Sequence, residues 1–227
     1  MSRKSLIAVA GVTGLVAATA LFGLPPASAV DLCGYPPVAC APLPAPAQVT
    51  ASEVTASTPQ QVAAIPPAQI AQLPPAAIGA ISPTQVAALD PAQVNQIRPA
   101  GAAQLQPTTV AAMDNEQLNA MRPASVAQLQ PAAIQALDAE QLASFRPAAF
   151  ARMPAEQTRV IAPAQIVDVT PASIAEIRPS SIAAMRPNTI AAMSNTQLRA
   201  MTDAQVAALT PRQIRKLTPA QRTVLGL

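Results

Sequence analysis

Apolar side chains recur along the chain with a period of eight residues. From Thr58 to Leu225 the sequence divides into 21 units of the average form [TSDR]-P-A-Q-[IV]-A-A-[LIM], whose letters define positions one to eight. Position eight holds a large apolar residue in every unit, and position two holds proline in 16 of the 21. So regular a pattern predicts a repeated structural element.

Each unit carries the signals for one short helix. Position one is Ser, Thr or Asp in ten units, and these side chains cap helix N-termini. Position two is then the first helical residue, where proline is favoured, and the Gln at position four in twelve units can complete a capping box. A hydrophobic staple is expected between position five and position eight of the preceding unit. The next proline ends the helix, because the residue before a proline disfavours the helical conformation.

The predicted fold is an all-α solenoid, or superhelix, of very short helices, with one helix per eight-residue repeat. Helices of about seven residues do not persist alone in water, so they must be stabilised by packing on their neighbours. Positions five and eight share one helix face and predict a narrow aliphatic core, with position eight the deeper. The alternatives are a disordered Pro-rich tether, which leaves the agreement of the capping signals unexplained, and a β-helix, for which Ala and Gln are poorly suited.

Position one also shows a longer period. From Asp90 to Arg146 it cycles through Asp, Arg and Gln every 24 residues. Because like charges gain nothing by stacking, we interpret this cycle as a trace of duplication and not as the length of one coil. The last unit departs from the repeat pattern at positions five and seven, and the same departure occurs at 156–162. Because terminal repeats are often atypical, this internal copy predicts two repeat blocks, 58–161 and 162–227, the second with a C-terminal cap. Phe145 and Phe150, just before this joint, are expected to fill the core.

The residues before the repeats predict export. Arg3 and Lys4, an apolar run over 6–24 and small residues at 27–29 indicate a signal peptide at 1–29, with an uncleaved membrane anchor as the alternative. In segment 30–57, Cys33 and Cys40 are expected to form a disulfide, whereas a metal site or a lipid anchor on Cys33 has less support. The Pro, Ala and Thr residues that follow predict an extended, disordered linker over 41–60.

Charge restricts the function further. The net charge of +3 falls to +1 once Arg3 and Lys4 are removed, and basic stripes with stacking aromatic residues are missing, which argues against nucleic-acid binding. Basic residues are concentrated from residue 194 onward. They indicate either ordinary solvated positions or a contact with an anionic polymer of the cell envelope. The residues concerned are Arg199, Arg212, Arg215, Lys216 and Arg222.

The sequence offers no arrangement typical of an enzyme. It contains no histidine, so Ser or Cys nucleophiles lack their usual base, and no phosphate- or dinucleotide-binding glycine pattern occurs. Glu116, Glu140 and Glu156 lie at position three, in the first helical turn, where they suit the helix dipole. We therefore expect a non-enzymatic protein with no catalytic site, no metal and no cofactor.

The units "SPTQVAAL" (82–89) and "TPRQIRKL" (210–217) resemble the T-P-x-Q-[IV]-A-x-L octapeptide repeats of some large exported bacterial surface proteins. The resemblance covers 58–225 and implies an exported repeat scaffold, secreted or associated with the cell wall. The Ala- and Pro-rich composition is similar to that of high-GC bacteria such as actinobacteria. We expect a spacer or adhesive scaffold at the envelope, touching an anionic polymer or another surface protein, without a transmembrane segment after signal cleavage. A module that binds a peptide or glycan along the solenoid surface is the alternative.

Overall fold

The computed structural model describes residues 49–227 of the chain. Within this range the backbone forms 22 short α-helices and no strand, which confirms the predicted all-α repeat array. The predicted signal peptide lies outside the described residues.

In chain order the helices are α1 (Ala51–Ala56), α2 (Pro59–Ala63), α3 (Pro67–Ile70), α4 (Pro75–Gly79), α5 (Pro83–Val86), α6 (Pro91–Val94), α7 (Pro99–Ala102), α8 (Pro107–Ala111), α9 (Asn115–Ala120), α10 (Pro123–Val126), α11 (Pro131–Ala136), α12 (Ala139–Ser144), α13 (Pro147–Phe150), α14 (Ala155–Val160), α15 (Pro163–Ile166), α16 (Pro171–Glu176), α17 (Pro179–Ala184), α18 (Pro187–Ala191), α19 (Asn195–Arg199), α20 (Asp203–Ala207), α21 (Pro211–Lys216) and α22 (Pro219–Leu225).

Side-chain caps start ten of the 22 helices, each at a Ser, Thr or Asp residue, the types that the sequence predicts. The backbone N–H of Gln117 donates to Oδ1 of Asp114 (2.7 Å), and the N–H of Asp114 donates to Oε1 of Gln117 (3.0 Å). Position one is extended there, with ψ of 173° at Asp114. The same reciprocal pair starts the helices that follow Thr58, Ser82, Asp138, Ser194, Thr202, Thr210 and Thr218.

Each helix packs on the helix three places further along the chain. Thus α9 contacts α6 and α12, and the same spacing holds from α1 with α4 to α19 with α22. Three units therefore complete one coil of 24 residues, so our interpretation that the 24-residue cycle is not the coil length is wrong. The solenoid has three faces. The first stacks α1, α4, α7, α10, α13, α16, α19 and α22; the second α2, α5, α8, α11, α14, α17 and α20; the third α3, α6, α9, α12, α15, α18 and α21.

The packed array begins earlier than the sequence predicts. The stretch 50–57, expected to be linker, forms α1, in which Glu53 completes a capping box with Thr50 and Val54 is buried. Position eight of this unit is Ser57, whose hydroxyl donates to the carbonyl of Glu53 (2.7 Å). Because the apolar residue that marks a unit is missing here, the pattern conceals the helix. The rest of the predicted linker, before Val49, lies outside the described range.

The helices on either side of the predicted block boundary pack in the usual order. Here α12, α13 and α14 contact α15, α16 and α17. One core of buried residues extends through the boundary, with Ile161 and Ile166 both included. The packing is therefore continuous, and the division at Ile161 stays a prediction about the repeats.

Positions five and eight line this core together. The prediction that position eight is the deeper one is wrong in the middle of the array, where Leu118 at position five is fully buried and Leu129 at position eight is 3% exposed, but it holds near the C-terminal end, where Leu217 is buried and Ile214 is half-buried. Thr158 at position five is also fully buried. Its hydroxyl donates to the carbonyl of Ser181 (3.0 Å), so this position accepts a polar residue because a partner is present.

The residue at position four joins adjacent coils, a role that the sequence alone does not reveal. Nε2 of Gln117 donates to the carbonyls of Val86 (2.9 Å) and Leu89 (2.6 Å), four units earlier. These carbonyls lie at the C-terminal end of a helix, where that of Val86 also accepts the N–H of Leu89 (3.0 Å) and that of Leu89 has no backbone donor among the described residues. One carboxamide thus caps the start of its own helix and the end of a helix in the coil before. Equivalent bridges are made by Gln85, Gln93, Gln141, Gln157, Gln165, Gln197, Gln205, Gln213 and Gln221.

Two of the position-four glutamines have a buried oxygen without a hydrogen-bond partner. Among the described residues, these atoms are Oε1 of Gln69 and Oε1 of Gln157. In other units this oxygen accepts the N–H of position one, but Pro66 and Pro154 occupy that position here. Since proline has no N–H, it removes one bond of the bridge. Nε2 of Gln157 still donates to the coil before.

Arginine at position one makes a related bridge. All five such arginines occur in units whose position four is Gly, Ala, Ser or Thr; they are Arg98, Arg122, Arg146, Arg178 and Arg186. Arg146 donates to the carbonyls of Ala120 (3.3 Å) and Met121 (2.9 Å), at the C-terminal end of α9. Arg178 and Arg186 make equivalent bonds. On successive coils, Arg146 bonds to helix-end carbonyls that carry partial negative charge, and Arg122 donates to Oε1 of Gln96 (2.8 Å), so these two like charges are each offset by an acceptor.

Candidate functional site

Position three points outward throughout the array. It is exposed in all 21 units from Gln60 to Ala220, and it varies among Ala, Thr, Ser, Asn, Gln, Glu and Arg. Position four, by contrast, is mostly buried between coils. Groups that could contact another molecule therefore lie mainly at position three and at exposed examples of positions one, six and seven.

The coil divides the five basic residues that the sequence analysis grouped together. Arg212, Arg215 and Lys216 lie on α21 of the third face and are exposed. Arg199 on α19 and the half-buried Arg222 on α22 belong to the first face, where their two helices contact each other. The predicted polyanion contact thus consists of two groups on different faces.

Arg186, which the sequence analysis missed, lies beside the group on α21. It starts α18, which packs against both α15 and α21. A cleft of about 360 Å³ is lined by Pro163, Arg186, Pro187, Asn188 and Lys216. Arg186 and Lys216 are 30 residues apart in the chain. A coil of 24 residues places their two helices side by side, and in the sequence only the 24-residue period points to a coil of that length. We name Arg186, Arg212, Arg215 and Lys216 the basic patch.

The N-terminal part of the same face is acidic. The units at 90–97, 114–121 and 138–145 contain no basic residue. Their exposed carboxylates form what we name the acidic patch: Asp90, Asp114, Glu116, Asp138 and Glu140. A cleft of about 460 Å³ here is lined by Pro91, Asn115, Glu116, Asn119, Ala120 and Ser144. Within residues 49–227, no group of three or more His, Cys, Asp or Glu residues is arranged to hold a metal ion.

The titration of Glu53 is altered by its place at the start of α1. The backbone N–H of Thr50 donates to Oε2 of Glu53 (2.7 Å), and the hydroxyl of Thr50 donates to the same oxygen (2.9 Å). These two bonds, the backbone one first, lower the pKa of Glu53, while desolvation opposes them. The charge therefore stabilises the start of α1.

The structure also bears on the predicted aromatic residues, membrane segments and cysteines. Phe145 and Phe150 are buried in the core, which confirms that they fill it. In the range that the structure covers, no helix is long and apolar enough to span a bilayer. Cys33 and Cys40 precede the described range, so their disulfide stays a prediction.

The repeated packing agrees with a comparison to known families. A family model for the ALTTAQ repeat matches residues 182–219. The chain is a repeat protein. The matched stretch includes Gln197, Gln205 and Gln213, three successive position-four residues that each bridge to the coil before. Among curated proteins, none matches this chain.

Proposed function

We propose that this repeat protein is a non-enzymatic structural spacer or adhesive scaffold. The proposal rests on one observation: the buried positions keep the same kind of residue along the array, whereas the exposed positions vary. The core at positions five and eight continues along the array, while the exposed position three carries seven residue types, with Ala in 11 of its 21 units. Packed helices lie about 8–10 Å apart, so about seven coils extend the molecule over roughly 60–70 Å. Such a rod can hold two attachments at a fixed distance.

We also propose export to a bacterial cell envelope, where the mature protein is secreted or bound to the cell wall. The signal-like residues at 1–29 and the resemblance of the octads to exported surface repeats support this location. The envelope would supply anionic polymers as partners for the basic patch. Arg212, Arg215 and Lys216 are exposed on one helix, and the units of α18 and α21 contain no acidic residue.

A module that binds a peptide or glycan is the second candidate function. Clefts between adjacent coils favour it, including one of about 550 Å³ lined by Pro99, Ala124, Ala127, Gln128, Ala151, Arg152 and Arg178. The linings of these clefts differ from coil to coil, as comparison with the acidic cleft beside Glu116 illustrates. A ligand with a repeated structure would need a regular stripe, so we favour the spacer.

Insertion of a copied coil tests the spacer proposal. A duplicate of residues 114–137 adds one helix to each face and should lengthen the particle by about 8–10 Å without widening it. Small-angle X-ray scattering measures both dimensions. A wider particle of unchanged length would contradict the proposal.

Cell fractionation tests export. The mature chain should be recovered from the cell wall or medium with Val30 as its first residue, as determined by intact mass. A full-length chain retained in the cytoplasm would refute this location.

Binding to dextran sulfate, with neutral dextran as control, tests the polyanion contact. The variant R212Q/R215Q/K216Q should lose most of the salt-sensitive binding, because it neutralises the exposed bases of α21. The matched variant R199Q/R222Q, on the first face, should retain it. Equal loss in the two variants would mean that the basic patch is not the contact.

A further inference from the structure

The bridge that Gln117 makes for α9 has no counterpart at α7, because position four of that unit is Gly101. In bridged units the carboxamide accepts the N–H of position one and donates to a carbonyl of position eight, 28 residues earlier. The corresponding groups around Gly101 are the N–H of Arg98 and the carbonyl of Leu73. Neither group has a hydrogen-bond partner within residues 49–227. A donor and an acceptor are therefore left open between these two coils.

A cavity of about 120 Å³ lies where the missing carboxamide would be, and its lining includes Ile70, Leu73, Arg98 and Gly101. Ile70 and Leu73 precede Gly101 by 31 and 28 residues, the separations that also relate Gln117 to its two carbonyl partners. The rest of the wall is apolar. The half-buried Leu73 and the exposed Arg98 reach solvent, so a ligand can enter without unfolding the array.

Glycine sets the size of this cavity. A Cβ at Gly101 would lie 3.1–3.2 Å from three side-chain atoms of Ile78, so α4 already occupies the space of the first carbon of a side chain. At about 30 Å³ for each water-sized group, the remaining cavity holds roughly four heavy atoms. A glutamine side chain has about four heavy atoms beyond Cβ, and together they correspond to one molecule of acetamide. The cavity therefore matches a short primary amide in size.

We propose that this cavity, between α3, α4 and α7, binds a primary carboxamide, supplied either by a small amide or by a glutamine or asparagine side chain of a peptide. The oxygen of the ligand accepts the N–H of Arg98, and its nitrogen donates to the carbonyl of Leu73. Its carbon atoms lie against the apolar wall beside Ile78. The ligand thus makes the two kinds of hydrogen bond that Gln117 makes within the chain.

Hydrogen-bond chemistry makes the site selective for an amide. A carboxylate or a ketone of the same size can accept the N–H of Arg98, but neither has an N–H to donate to the carbonyl of Leu73. A site built to satisfy both groups rejects an analogue that leaves one of them unpaired. Because an amide of about four heavy atoms has little surface to bury, we expect a dissociation constant in the millimolar range.

An NMR titration of the mature chain with acetamide tests the proposal. The amide signal of Arg98 and the methyl signals of Ile70, Leu73 and Ile78 should shift and reach saturation. Acetone and acetate should bind about tenfold more weakly or not at all. A blocked peptide with one glutamine and a C-terminal N-methylamide distinguishes the two sources of the ligand. Tighter binding than acetamide indicates a peptide side chain, and equal or weaker binding indicates a small amide.

Variants at position one test the geometry. Arg98→Pro removes the N–H and should weaken acetamide binding by about tenfold, whereas Arg98→Ala keeps the N–H and should retain more affinity. The repeat accommodates proline there, since Pro66 and Pro74 hold the same position before α3 and α4. Arg122→Pro, the same change one coil later on the first face, is the matched control and should bind acetamide as wild type does.

Three results would overturn the proposal. These are shifts that do not saturate, equal affinity for acetone and acetamide, and equal affinity in Arg98→Pro and Arg98→Ala when both variants unfold at the wild-type temperature. Gly101→Gln gives a further check, because it places a carboxamide in the cavity covalently and should prevent acetamide from binding. If Ile78 does not yield to the new side chain and this variant fails to fold, the Arg98 variants still decide the matter.

Discussion

A glutamine side chain at position four satisfies backbone groups of two helices with its two ends. Its oxygen accepts the N–H that starts its own helix, and its nitrogen donates to carbonyls that end a helix one coil earlier, as at Gln117. A hydroxyl can make only part of this connection, as when Ser125 donates to the carbonyl of Ile97 (2.7 Å). The choice of residue at one position therefore sets how tightly neighbouring coils are joined.

Replacement of Pro154 should stabilise the protein. Pro154→Thr supplies an N–H for the unpartnered Oε1 of Gln157 and a hydroxyl that caps α14. The cap and the new bond contribute about 1–2 kcal/mol, and loss of the proline ring offsets about 0.4–1 kcal/mol of this. Thermal unfolding measures the net gain. Pro154→Ala restores the N–H without the cap and should gain less; if both variants are less stable than wild type, Gln157 does not use the new donor.

Truncations at positions five and eight should be equally harmful. Leu118→Ala and Leu129→Ala each remove a buried side chain and should cost about 2–5 kcal/mol. Gln128→Ala, at the exposed position seven beside Leu129, should change the stability by no more than about 0.5 kcal/mol. Denaturant unfolding compares the three variants. A much smaller effect at Leu118 than at Leu129 would restore the sequence-based view that position eight is the deeper.

At the scale of the element, no helix of four to seven residues is stable by itself. They gain their order from caps at their starts where Ser, Thr or Asp is present, from bridges at their ends and from the helices stacked on the same face. α1 illustrates the first of these contributions, because Glu53 and Thr50 close its N-terminus by hydrogen bonds. The elements are therefore interdependent, and their stability can be changed through the contacts between them.

Removal of one bridge should loosen two helices at once. Gln117→Ala leaves the carbonyl of Leu89 without its donor, which costs about 1–3 kcal/mol if it stays buried, whereas the carbonyl of Val86 still accepts the N–H of Leu89 (3.0 Å). Hydrogen exchange should increase in both α5 and α9. Gln117→Glu keeps an oxygen that accepts the N–H of Asp114 but has no N–H for the carbonyls of the coil before. It should therefore also lower the stability of the protein at neutral pH. Part of that stability should return on acidification, when the carboxyl is protonated and can donate. Faster exchange confined to α9 would show that the bridge is not important.

Acidification should fray α1. Because the folded pKa of Glu53 is lowered, its contribution is present above the ordinary glutamate pKa of about 4.3 and is lost as pH falls through the lowered value. An NMR titration of the Glu53 carboxyl and the Thr50 amide should show this transition. Gln at this position accepts the same bonds without titrating, so Glu53→Gln should remove the pH dependence of α1. A pKa at or above the ordinary value would contradict the capping role of the charge.

At the scale of the whole molecule, three units per coil bring distant residues onto one face. Lys216 and Arg186 line one cleft, and the acids from Asp90 to Glu140 occupy one side of α15. A solenoid of this kind derives its stability from contacts between nearest neighbours. Its surface pattern, however, depends on the number of units in every coil.

Deletion of a full coil should be tolerated better than deletion of a single unit. Removal of 114–137 leaves each later helix on its original face, and the Asp138 unit then packs on the Asp90 unit as the Asp114 unit did. Removal of 122–129 moves every later helix to another face, where core residues no longer match their neighbours. Thermal unfolding should show a cooperative transition for both variants, at a lower temperature for the shorter deletion. Equal temperatures would indicate that the faces are interchangeable.

The sequence by itself determined the helices, their eight-residue period and the residues of the core. The signals for these features are local: a hydroxyl or carboxylate such as Asp114 caps the helix that follows it, and Leu129 marks its core position by the eight-residue apolar period. The sequence also placed Arg212, Arg215 and Lys216 together, because they belong to one unit. Where a local signal was altered, as at Ser57, the helix escaped prediction.

Only the tertiary structure decided how many units complete a coil. That number depends on the angle between successive helices, which is set by packing between residues 24 or more positions apart and not by any single unit. It determines that the amide of Gln117 bonds to Val86 and Leu89, that Arg186 lies beside Lys216, and that Arg199 and Arg222 lie on another face. It also allows Arg146 to lie on the same face as other position-one arginines, since the carbonyls that accept its hydrogen bonds come from a distant unit of the chain.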